Sequence, residues 1–98
     1  MDAPVPIAGR LAPFAWDHDA AIGYEVAIEA IGEAVACYTA LIARAESAGD
    51  RAEAGRLDAG QTRCVEDRGA LRSDDHDGVE RVLRDYPVLI RRLREQLA

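Results

Sequence analysis

A chain of 98 residues and formal net charge −6 forms one small domain with a single modest core. Apolar residues make up 49% of it, too many for general disorder, but 19 of the 98 are alanine, so close helix–helix approach or a partner chain must supply stability. The acidic balance disfavours the nonspecific phosphate binding that a basic face provides.

Residues 1–16 (MDAPVPIAGRLAPFAW) hold three of the four prolines and are expected to form an extended arm. Its apolar residues, Phe14 and Trp16 among them, would pack across a helix end or clasp a second subunit or another protein. The remainder, 17–98, is expected to be the helical domain.

Asp17 or Asp19 is a fair N-cap for a first helix over about 17–48. Within it Tyr24, Ile31, Tyr38 and Ala45 recur every seven residues, as do Ala27, Ala34 and Leu41, and Ile28, Val35 and Ile42. Together they make a surface wider than the seam of a two-helix coil. Gly49-Asp50 closes this helix and caps the next, over about 51–72. There Leu57, Cys64 and Leu71 repeat at the same interval. A short reversal at 49–50 would pair Ile42 with Leu57, Val35 with Cys64 and Ile28 with Leu71 in an antiparallel helical hairpin. The glycines Gly55, Gly60 and Gly69 weaken the second helix. The turn SDDHD (73–77) supplies caps for a third helix over about 75–97, whose apolar stripe runs from Val79 to Leu97. Pro87 should kink or restart it near Tyr86. The expected fold is thus all-α: a hairpin plus a third helix in a three-helix, coiled-coil-like bundle that dimerises.

The stretch EVAIEAIGEAVACY (25–38) stacks Glu25, Glu29 and Glu33 on one helical face. Carboxylates so arranged, with His18 one turn and more above, are the candidate metal or acid–base residues. The Glu-x-x-His pairs of di-metal bundles are absent from the sequence, however. By chain position Arg81 and Arg84 fall level with Glu29 and Glu33, so charge pairing is the better expectation. The sequence assigns no catalytic residue, metal or cofactor. Glycine-rich phosphate loops, nucleophile elbows and zinc spacings do not occur in it, and two histidines leave little acid–base machinery.

All 12 basic residues are arginine, which with the alanine excess matches the residue usage of a GC-rich bacterial genome. Two arginines face seven acids in 1–49, against ten and eleven in 50–98, so an acidic first helix can pair with later arginines. Arg91, Arg92 and Arg94 flank Leu93 at a helix end, where cations suit the dipole. Cys37 and Cys64 form no CxxC motif and read as buried, inert thiols. Residues 1–16 lack the pattern of a signal peptide, and the glutamates interrupt the longest apolar stretch. A cytoplasmic protein with reduced thiols and no membrane association is therefore expected.

These features point to a non-catalytic interaction protein: a small bacterial regulatory or accessory factor, an inhibitor or antitoxin being one version. It would use Phe14, Trp16, Glu25, Glu29, Glu33, Arg91, Arg92 and Arg94 toward a protein partner and form a homodimer. Two alternatives are a small enzyme or anion-ligand binder using Arg81, Arg84 and Arg91, and a nucleic-acid-associated protein using the basic C-terminal helix.

Overall fold

The computed structural model describes the backbone of residues 4–98 and the side chains of residues 19–98. Three helices follow in order: α1 (Pro4–Ser47), α2 (Arg51–Ala70) and α3 (His76–Leu97). The chain is an all-helical bundle in which α2 and α3 each pack on α1.

Helix α1 takes in most of the segment expected to be an extended arm, and it passes through Asp17 and Asp19, so neither caps it. Pro4 and Pro6 fall in its first turn, where backbone N–H groups have no intrahelical acceptor and proline costs little. The side chains of Phe14, Trp16 and His18 lie outside the described residues.

The buried positions of α1 are Ala27, Ile31, Ala34, Tyr38, Leu41 and Ala45, with Cys37 on their edge. They alternate spacings of four and three, which keeps one stripe facing its partners along the helix. Two of the three heptad series therefore form the floor of the core. The third, Ile28, Val35 and Ile42, is only half-buried. From α2 come Leu57 and Cys64, from the connection Leu71, and from α3 Val79, Val82, Tyr86, Ile90 and Leu93.

With 44 residues, α1 is about 66 Å long, whereas the 20 and 22 residues of α2 and α3 reach only about 30–33 Å. Both shorter helices sit on the C-terminal part of α1. Their backbones do not approach one another. The Cα atoms span 25 by 14 Å across the two shorter axes, whereas three helices in a closed triangle at 8–10 Å spacing would span roughly 13–14 Å both ways. The bundle is flattened, with α2 and α3 on two flanks of α1.

Local signals explain the turns. Gly49 has φ +73°, the left-handed conformation that favours glycine. Asp50 caps α2 by accepting a hydrogen bond from the Glu53 N–H at 3.1 Å. Asp75 caps α3 in the same way through the Gly78 N–H at 2.9 Å. A Cβ on Gly78 would run into the Asp75 carboxylate and Leu71, so cap and glycine act as one unit. Asp75→Ala is expected to lower stability by about 1 kcal/mol and Asp75→Asn by much less. A urea midpoint that falls at unchanged slope would register the loss.

Helix α3 runs unbroken through Pro87, correcting the expected restart. Proline removes the bond to the Leu83 carbonyl, and the exposed setting of Pro87 leaves water to serve it. At the far end Arg44 of α1 donates through Nη1 to the carbonyls of Gln96 (3.1 Å) and Leu97 (3.0 Å). A cation there satisfies open carbonyls at the negative end of the α3 dipole.

One expectation about membranes needs correcting. The stretch Asp19–Ser47 of α1 is long and apolar enough to cross a bilayer. Between residues 26 and 43 only Glu29 and Glu33 carry charge, and the abundant small apolar residues outweigh them. Here the same apolar run is the helix on which α2 and α3 lie.

Candidate functional site

Two regions outside the simple core concentrate chemistry: the cleft between α2 and α3, and the outward face of α1.

The cleft, of about 570 Å³, exists because α2 and α3 stand apart on α1. Its base holds Tyr38 from α1, Cys64 from α2 and Tyr86 from α3, all buried. Tyr38 lies against Gly60, where a Cβ would come within 2.6–2.8 Å of its hydroxyl and ring. Above that contact Gln61 donates through Nε2 to the Val35 carbonyl (3.0 Å) and to Thr39 Oγ1 (2.8 Å). On the other side the Tyr86 hydroxyl donates to Asp67 Oδ2 at 2.7 Å, a polar link across a gap the backbones leave open. Arg63, Glu66, Arg81 and Asp85 form the charged rim.

Burial pushes both tyrosines above their ordinary pKa, helped for Tyr86 by the bond to the Asp67 carboxylate and for Tyr38 by the nearby Cys64. The protonated phenols are thus favoured by the fold. Their contribution to stability is complete below the ordinary tyrosine value of about 10 and is lost as pH rises beyond it, because the unfolded chain ionises first. Tyr86→Phe is expected to cost about 0.5–1.5 kcal/mol at neutral pH and to flatten the fall in stability above pH ~10. Urea titrations between neutral and alkaline pH would check both effects. An unchanged alkaline slope would count against the coupling of Tyr86 to folding.

On α1 the glutamates are all exposed. Glu33 pairs with Arg94 of α3, while Arg84 pairs with its neighbour Asp85 at 3.0 Å and Arg81 lies on the rim of the cleft. The expected partners of the ladder, Arg81 and Arg84, are therefore replaced by Arg94. Both members of the Glu33–Arg94 pair are largely solvated, so its net worth is about 0–1 kcal/mol. Glu25 and Glu29 make no ion pair among the described residues. Alongside them Ile22 and Val26 are 45% and 46% exposed, with Tyr24 and Ile28 half-buried beside them.

Comparison with protein-family models, with curated proteins and with solved structures finds no match.

The remaining expected residues do not converge. Arg91 and Arg94 border a recess between α1 and α3 together with Glu33 and Glu95, a setting of mixed charge, and Arg92 is exposed. Of the arginines suggested for an anion, Arg81 lies on the rim of the cleft and Arg91 on the recess between α1 and α3, while Arg84 pairs with Asp85. Among the described residues no three His, Cys, Asp or Glu side chains are placed to share a metal ion. Cys37 and Cys64 are buried and free. Sequence reasoning missed the Tyr38–Gly60 and Tyr86–Asp67 contacts. The first had a signal: the register that pairs Val35 with Cys64 also brings Tyr38 level with Gly60.

Proposed function

We propose that this chain is a non-catalytic protein–protein interaction module, a regulatory or accessory helical protein that works by presenting the outward face of α1. The observation that carries the reading is the group formed by Ile22 and Val26, nearly half exposed, beside Glu25 and Glu29. Large apolar side chains left in water on a helix that has already packed a full stripe elsewhere are the kind of surface a partner covers. An inhibitor or antitoxin acting on a basic partner is the specific version that the acidic first half of the chain favours.

The reading includes an antiparallel α1–α2 hairpin, supported by the contacts of Tyr38 with Gly60 and of Val35 with Gln61. It also includes a coiled-coil-like homodimer, drawn from the seven-residue apolar repeats of α1, and a bacterial, cytoplasmic setting suited to two free thiols. The anion-binder alternative is weakened by the separation of its arginines.

A photo-crosslinking residue at position 26 of the full chain tests the reading, with position 65 on α2 as reference. In cells of the native host, specific adducts at 26 and none at 65 are expected. Equal adduct formation at both positions, or none at 26, would remove α1 as the working surface.

A further inference from the structure

Resting on the reading of α1 as the working surface, we infer that the face formed by Ile22, Val26, Glu25 and Glu29 docks an amphipathic helix of another protein, apolar on its contact stripe and basic on its flanks. The apolar residues sit one helical turn apart, as do the two glutamates, so the face is a short apolar line bordered by an acidic one. A helix laid along it would bury apolar side chains against Ile22 and Val26.

Charge selects the occupant. Glu25 and Glu29 make no ion pair among the described residues, while Glu33 already has Arg94. The next arginine along α1, Arg44, is engaged with the end of α3. Among the described residues the carboxylates beside the apolar line thus have no arginine partner, and lysines or arginines of an incoming helix would supply one. A second copy fits this face poorly. A two-fold pairing centred on it gathers Glu25 and Glu29 of both chains on one seam without a balancing arginine from the described part of α1, and like charges so placed are repulsive. An anionic bilayer is disfavoured for the same reason.

The test uses the full chain and two labelled 18-residue model helices, one of leucine and lysine and one of leucine and glutamate with the same apolar pattern. Binding is followed by fluorescence anisotropy at low and at physiological salt. The lysine peptide is expected to bind, more weakly at the higher salt, and the glutamate peptide to bind at least about tenfold more weakly, the factor carried by about 1.4 kcal/mol. Val26→Asp and the pair Glu25→Lys with Glu29→Lys should each lower affinity about tenfold or more, the size of a substantial interface loss. The same charge change elsewhere, Asp58→Lys on α2 with Glu46→Lys at the far end of α1, should leave it within about twofold, as should Val65→Asp. Circular dichroism checks that each variant is folded.

Equal binding of the two peptides, or equal loss from these control variants, overturns the proposal. So does sedimentation showing a dimer that Val26→Asp dissolves, which would give the face to a second copy. If crosslinks at position 26 persist while the lysine peptide fails to bind, α1 remains the working surface and only the basic-helix partner falls.

Discussion

Ile31→Ala is expected to cost about 2–5 kcal/mol, a large part of the roughly 5–15 kcal/mol that holds a small domain together. Among the described residues, Ile31 is the largest side chain with no solvent exposure. Its neighbours one turn away on the same stripe, Ala27 and Ala34, are equally buried and have nothing beyond a methyl group with which to fill a hole. The cavity left by the substitution would therefore persist, and the cavity cost adds to the lost transfer energy. Ile22→Ala gives the contrast within the same helix. With Ile22 45% exposed, its truncation should stay within about 0.5 kcal/mol. Urea unfolding followed by helical circular dichroism compares the two directly. Similar losses at positions 31 and 22 would mean that the stripe facing α2 and α3 has been placed on the wrong side of α1.

That stripe was legible because periodicity fixes which way a residue points around a helix. The series through Ile31 and Ala34, and that of Leu57, Cys64 and Leu71, could be read as inward-facing from spacing alone, as could the caps at Asp50 and the glycine turn before it. Axial stagger was not legible in the same way. Gly23 lies beside Val79, so α3 sits about one turn nearer the N-terminal end of α1 than counting along the chain suggests. Side chains on a helix also lean toward its N-terminus. The two displacements add, and Arg94 meets Glu33 where Arg84 was expected. The start of α1 was misread for a different reason: Pro4 and Pro6 fall in its first turn, where proline is acceptable, and the helix also continues through Pro13, so prolines alone could not say where it begins. As for the candidate interaction face, the glutamate ladder stood out by spacing. Ile22 and Val26 fall in the heptad series of Glu29 and Glu33, which stays exposed along α1, so the same periodicity that marks the buried stripe also points these two residues outward.

Gly60→Ala is expected to destabilise the protein by about 1–3 kcal/mol, against the ordinary rule that alanine improves a helix interior by up to about 1 kcal/mol over glycine. The competing effects can be weighed on the structure. A methyl group at Gly60 would come to 2.6 Å from the Tyr38 hydroxyl and 2.7–2.8 Å from its ring carbons, well inside normal carbon contact of about 3.5–4.0 Å. The ring cannot step aside cheaply, since Tyr38 is buried and its helix is held near this level by the Gln61 bonds to Val35 and Thr39. Relief must come from moving α2 off α1, which loosens Leu57 and Cys64 on either side. Gly55 and Gly69 lie in the same helix with open space where a Cβ would go, so Gly55→Ala and Gly69→Ala should raise stability by up to about 1 kcal/mol each. Removing the obstacle supplies the decisive comparison. In a Tyr38→Ala background, itself costly, Gly60→Ala should change from destabilising to neutral or stabilising, and the double-mutant cycle should return a coupling of about 0.5–3 kcal/mol. Denaturant midpoints of the four proteins measure it. If Gly60→Ala behaves like Gly55→Ala in the wild-type background, the close approach of α1 and α2 at Tyr38 is wrong.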